Sequence, residues 1–181
     1  MLQKLDKNGI NKILELLDEE IGKDIEQPQL KFTLIAVGGT SLTLRDIKPS
    51  TKDSDFMVDG IEVEKIKKYA KKVYENNKCK IDVWKAPYIF STMLLRNFSS
   101  DLYPKNFKHF DVRIINLVDN AVAKLSRFNE ADREDIDSII KSGIDINDII
   151  KRFKDTLENN GFANKDEAKR NLKIFMRIMK P

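Results

Sequence analysis

Between residues 32 and 58, two apolar runs bracket a small-residue turn and a pair of acids. The runs are Phe32 to Val37 and Phe56-Met57-Val58; the turn is Gly38-Gly39-Thr40-Ser41; the acids are Asp53 and Asp55. No other stretch narrows the fold as much. The first run, extended back to Leu30, reads as a strand buried on both faces because it is nearly continuous. Gly38-Gly39 ends it, Thr40 to Arg45 reads as a short helix, and Lys48-Pro49-Ser50 as a turn. Asp53 to Val58 is then the next strand, closed by Asp59-Gly60. Residues i and i+2 of a strand share a face, so this reading sets Asp53 and Asp55 side by side.

Two adjacent carboxylates repel unless a cation lies between them, and hard oxygen donors suit Mg2+. Asp82 is a third acid of the same kind. It interrupts the apolar strand read from Cys79 to Trp84, where an unsupported Asp is disfavoured. Three such acids can hold two metal ions about 3.5–4 Å apart, and one of them can take the proton of an attacking hydroxyl. Mn2+ would satisfy the same donors. Gly38 and Gly39 complement them, since glycine lets backbone approach a phosphate closely, and a following helix start would aim amides at an anion. The hydroxyls of Thr40 and Ser41 add hydrogen bonds. Taken singly, each motif is more commonly a plain turn, a solvated loop or an exposed strand residue. Their order, and the strands that flank them, favour a joint site for a nucleoside triphosphate and its metal.

The rest of the chain divides in two. Leu5, Ile10, Ile13, Leu14, Leu17 and Ile21 follow helical spacing up to Gly22, and Gln27-Pro28-Gln29 is a break. Val63 to Asn77 is a helix with Ile66, Ala70, Val73 and Tyr74 on one face, and Phe107 to Ile115 a fourth strand. From Leu117 onward the pattern is helical throughout: about Leu117 to Phe128, Ala131 to Lys141, Ile146 to Asn159 and Lys165 to Met179. The layout is a mixed α and β core over 1–115 with a helical part over 116–181.

Composition excludes several classes. The 181 residues are enough to bury a core without staples, and with 41 % hydrophobic residues the chain is no disordered tail. Cys79 is alone, which rules out an intrachain disulfide and suits a reducing compartment. No apolar run reaches membrane-spanning length and the N-terminus carries no signal-type segment, so the expected location is cytoplasmic. The 33 basic residues nearly balance 29 acidic ones, so charge permits a polyanionic partner without arguing for one.

The spacing Gly39-Thr40-Ser41, then Asp53 and Asp55, then Asp82 resembles the nucleotidyltransferase superfamily with the DNA-polymerase-β-like fold. Val122-Ala123-Lys124-Leu125-Ser126-Arg127, followed by Asp132-Arg133-Glu134-Asp135, resembles the helical lysine–arginine and Asp-x-x-Asp motif of AbiEii-type nucleotidyltransferases, the toxin components of certain toxin–antitoxin pairs. The resemblance covers about residues 30 to 142. It implies an α+β fold: a small mixed β-sheet flanked by helices, with an all-helical C-terminal subdomain closing a nucleotide cleft. It implies transfer of a nucleoside monophosphate to a hydroxyl, with release of pyrophosphate. Asp53, Asp55 and Asp82 would bind Mg2+, and Gly38, Gly39, Thr40 and Ser41 the triphosphate. Lys124 and Arg127 would approach the phosphates, with Asp135 as a supporting acid. A cognate antitoxin is the implied partner; tRNA, a protein and a small molecule are all open as acceptors. Ser54 departs from the pattern, which usually has an aliphatic residue between the two acids. Its hydroxyl faces the other side of the sheet and needs a partner if buried.

Alternatives stand beside this. Lys124 and Arg127 share a helix face, as do Asp132 and Asp135 on the next helix, and the four together also make an ordinary interhelical ion-pair cluster. A catalytically inactive nucleotide- or RNA-binding module, or a partner-binding protein on the same fold, is the competing function. Trp84 and Tyr88 flank Pro87 and either stack a base or pack the fold, the latter favoured. His109 reads as a strand residue with a hydrogen-bonded ring. The lysine stripes Lys65/Lys68/Lys72 and Lys169/Lys173/Arg177 suit either a solvated surface or an RNA backbone.

Overall fold

A computed structural model describes residues 4–24, 32–58 and 63–179. It is a mixed α+β structure with a five-stranded mixed sheet and, among the described residues, seven helices. The chain divides into two compact units. One comprises residues 1–86 and 100–114; the other comprises 87–99 and 115–181.

In the first unit, α1 (Lys7–Gly22) starts where the Asp6 side chain accepts the Gly9 N–H. It buries Ile10, Ile13, Leu14, Leu17 and Ile21. Strand β1 (Phe32–Ala36) leads through Val37 into α2 (Gly38–Leu44), and β2 (Asp55–Val58) follows. Next come α3 (Val63–Asn77) and β3 (Asp82–Lys85). The sheet order is β3-β2-β1-β7-β6, where β6 is Ser100–Leu102 and β7 is Phe110–Ile115. Strand β1 pairs antiparallel with β2 and parallel with β7, while β2 pairs parallel with β3.

Register assigns the two faces of the sheet. Phe32, Leu34, Ala36, Phe56, Val58, Phe110, Val112 and Ile114 lie on one side and join α1 and α3 in a single apolar core. Burying a Phe, Leu, Ile or Val side chain there stabilises by about 1.5–3 kcal/mol. The opposite face carries Thr33, Ile35, Met57, Asp111 and Arg113, and there Asp55 stands directly opposite Asp82.

The second unit contains a two-stranded hairpin, β4 (Tyr88–Ile89) with β5 (Thr92–Met93), and four helices. These are α4 (Leu117–Arg127), α5 (Glu130–Lys141), α6 (Ile146–Glu158) and α7 (Lys165–Ile178). Each helix is opened by an Asx side chain accepting a first-turn N–H: Asn116, Asn129, Asp145 and Asn164. Such caps contribute about 1 kcal/mol apiece. Phe128 packs edge-on against Phe175, and Phe153 stacks on Phe162.

Several boundaries differ from the sequence reading. Gly38 and Gly39 are the first residues of α2 rather than a turn before a helix at Thr40. β2 begins at Asp55, not Asp53; β3 spans Asp82–Lys85 rather than Cys79–Trp84; β7 begins at Phe110 rather than Phe107. β4, β5 and β6 are two or three residues long, too short to show a periodicity. The break at Gln27-Pro28-Gln29, the start of the first strand at Leu30 and the turn at Asp59-Gly60 lie outside the described residues.

Candidate active site

The site is built where β1 hands the chain to α2. Gly38 has φ +58°, a conformation that favours glycine. A Cβ on Gly39 would come within 2.5 Å of Thr51 Oγ1, so this glycine is required by close packing as well. The Thr40 hydroxyl donates to Asp53 O at 3.0 Å and accepts from Asp55 N at 2.9 Å. Val37 N donates to Asp55 O at 3.1 Å. One buried hydroxyl thus latches the start of α2 to the acidic segment, and it takes the backbone groups that would otherwise extend β2 back to Asp53. Ser41 Oγ donates to Gly38 O at 2.9 Å, which tightens the same turn.

The three acids occupy different environments. Asp53 precedes the strand and is exposed, whereas Asp55 is 7 % exposed. Asp82, on β3, is half-buried and in register with Asp55. Between the first two acids, Ser54 is fully buried, and its hydroxyl donates to Lys80 O. Asp82 N donates to Ser54 O at 2.9 Å. The unusual serine therefore ties the chain before β2 to the chain before β3, which supplies the partner its burial demands.

Two further side chains meet these carboxylates. Trp84 Nε1 donates to Asp55 Oδ1 at 3.2 Å. Lys80 Nζ donates to Asp82 Oδ2 at 2.8 Å. The hydrogen bond to Asp82 raises the Lys80 pKa above its ordinary value; burial works against this, and attraction to Asp82, Asp53 and Asp55 adds to it. Neither residue was assigned to the site on sequence. The signal was present, since Lys80, Asp82 and Trp84 alternate through 80–84 and so share a side of the strand read from Cys79 to Trp84.

The donor set suits a hard divalent cation. All three groups are carboxylates, two face each other across adjacent strands, and one ammonium already draws on all three fields, as a stand-in cation would. The set is not closed. Among the described residues no three His, Cys, Asp or Glu side chains converge as a ready metal cluster, and Asp82 would exchange Lys80 for the ion.

The remaining candidates lie in the second unit. Lys124 Nζ is 2.6 Å from Asp135 Oδ2 and 3.5 Å from Asp132 Oδ1. Arg127 Nη2 is 2.8 Å from Asp132 Oδ1, and its guanidinium lies 3.8 Å from the centre of the Phe90 ring. Lys124, Asp132 and Asp135 are buried. Arg127 Nε and Asp132 Oδ2 are buried without a hydrogen-bond partner. The geometry is that of an interhelical ion-pair cluster between α4 and α5.

His109 lies one residue before β7, with Nδ1 3.0 Å from Asp18 Oδ1. Asp18 also accepts the backbone N–H groups of Lys108 and His109, so the imidazole belongs to a structural clasp. Tyr88 is exposed. Lys72 ties α3 to Asp24 and Glu20, while Lys169, Lys173 and Arg177 are exposed along α7. No helix among the described residues is long and apolar enough to cross a membrane.

A family model described as "Nucleotidyltransferase of unknown function (DUF6036)" matches residues 12–179. Comparison with curated proteins and with solved structures returns no match.

Proposed function

The chain belongs to this nucleotidyltransferase family, and from that premise we propose that it moves a nucleoside monophosphate from a nucleoside triphosphate to a hydroxyl, using Asp53, Asp55 and Asp82 around Mg2+. The observation that carries the reading is the register of Asp55 opposite Asp82 on adjacent parallel strands, with Asp53 just before the first. In this reaction the acceptor oxygen bonds to the α-phosphorus, the bond to pyrophosphate breaks, and the acceptor proton passes to a carboxylate. Asp82 is the carboxylate assigned to that proton, since it is the more accessible of the pair in register. Bound Mg2+, or Mn2+ in its place, would offset phosphate charge and polarise the reacting oxygens. Asp53, Asp55 and Asp82 would hold it. The first turn of α2, Gly38 to Ser41, is the segment assigned to the triphosphate, supported by its link through Thr40 to both Asp53 and Asp55.

The finer role rests on the 122–136 motif alone. Its likeness to AbiEii-type enzymes makes a toxin-like activity, restrained by a cognate antitoxin, the corresponding proposal. Lys124 and Arg127 enter that proposal already engaged by Asp135 and Asp132, which supports a part in the frame of the helical unit.

The test is incubation with each α-labelled nucleoside triphosphate, Mg2+ and total cell extract, comparing the protein with its Asp53→Ala/Asp55→Ala variant. Transfer of label to a tRNA, a protein or a small molecule is expected from the unaltered protein, with loss by more than about 100-fold in the variant, beyond the 10–100-fold typical of a group one step removed from a metal. Equal labelling by both proteins would leave an inactive binding module as the surviving reading.

A further inference from the structure

We propose that Trp84 is the positioning residue of this site: its indole N–H holds Asp55 in the orientation that receives the metal. The inference rests on the metal-binding reading above.

Asp55 is fixed from three directions. Thr40 Oγ1 accepts its backbone N–H, its carbonyl accepts from Val37, and its side chain accepts from Trp84 Nε1. The first two set the backbone; the third acts on the carboxylate. The sheet places the donor: Trp84 lies two residues beyond Asp82 on the same side of β3, and Met57, its partner in register, lies two beyond Asp55. The indole therefore reaches diagonally across β2 and β3 to Asp55.

The donor's chemistry is the stronger argument. A buried carboxylate needs hydrogen bonds in place of the water it has lost. A lysine or arginine could supply them, but its positive charge would compete with a divalent cation for the same oxygens. An indole N–H orients the carboxylate without adding charge. The contrast with Asp82 is on the neighbouring strand. There the donor is the Lys80 ammonium, 66 % exposed and able to leave. Trp84 is partly buried in β3 and stays. Partners of this kind typically alter metal affinity by about 10–100-fold.

The experiment replaces Trp84 by 3-benzothienylalanine, which keeps the bicyclic ring and lacks the N–H, with Trp84→Phe as a second variant. Mn2+ binding is measured from the electron paramagnetic resonance of the free ion, and thermal melting is recorded for each protein. Trp84 is the sole tryptophan, so its fluorescence in the unaltered protein is expected to be quenched over the same Mn2+ range. The expected result is a 10–100-fold weaker Mn2+ affinity in the isostere, with its melting temperature maintained. Unchanged affinity in both variants would overturn the role of Trp84 and leave the metal site standing. Affinity that falls only together with the melting temperature would assign the indole to packing, and also overturns the proposal. Absence of Mn2+ binding by the unaltered protein would overturn the metal reading itself, and this inference with it.

Discussion

Lys80 and Lys124 meet aspartates at similar distances, 2.8 Å and 2.6 Å, yet the first side chain is 66 % exposed and the second 4 %. The two clusters use the same residue types and are held in opposite ways. Just before β3, an exposed ammonium leans on Asp82 beside two more carboxylates. Between α4 and α5, a buried ammonium is shared by Asp135 and Asp132, and Arg127 closes the second of these. An exposed pair contributes about 0–1 kcal/mol and exchanges readily with solvent ions. Removing one partner of a buried pair costs about 3–5 kcal/mol, because the other charge is stranded. The difference separates a place where a cation can be replaced from a place where it is part of the frame.

Breaking the buried cluster should therefore give the largest effect on stability. Lys124→Ala is expected to lose about 3–5 kcal/mol in urea denaturation, leaving Asp135 and Asp132 without their shared partner. Lys124→Met combined with Asp135→Asn should cost clearly less than the two single changes summed, since both remove the same buried ion pair. A Lys124→Ala protein as stable as the original but unable to transfer nucleotide would invert the comparison, making the buried lysine the working cation.

The sequence made the two clusters unequally legible. The helices of the second unit appear within a residue or two of their observed ends, because apolar periodicity and Asx caps are local signals: Asn116, Asn129, Asp145 and Asn164 each stand just before the first helical residue. The three acids could be picked out because each stands beside a short apolar run. Their partners could not, since Trp84 reaches Asp55 only through the register of β2 with β3, a nonlocal fact. The edge of β3 was misplaced for a similar reason. Ser54, distant in sequence, takes the Lys80 carbonyl with its side chain, so the regular strand starts at Asp82. On sequence the Gly38-Gly39 pair reads as a strand-ending turn able to approach phosphate, while the fold gives each glycine a specific reason: a positive φ at the first and the approach of Thr51 at the second.

The latch at Thr40 should give an intermediate effect. Thr40→Val keeps the shape but removes the group that receives Asp55 N and serves Asp53 O. Leaving the buried Asp55 N–H unpaired is expected to cost about 1–3 kcal/mol in denaturant titration. Activity should fall as well, since the backbone of the acid pair is no longer pinned to α2. A Thr40→Val protein unchanged in both measurements would show that the acid segment is held by the sheet alone.

The smallest effect should come from Lys80. Lys80→Met removes an exposed ammonium, so stability at neutral pH should change by less than about 1 kcal/mol. Its pKa is raised in the folded protein, so any stabilisation it gives is fully present below the ordinary lysine pKa and disappears as pH climbs through the higher folded value. Whatever gap separates Lys80→Met from the unaltered protein should accordingly close in strongly alkaline solution. Mn2+ should bind the variant at least as tightly as the original, because no resident cation has to leave Asp82. Weaker Mn2+ binding by Lys80→Met would mean that the ammonium supports the carboxylates rather than standing in for the ion, and the contrast between the two lysines would fail at its accessible end.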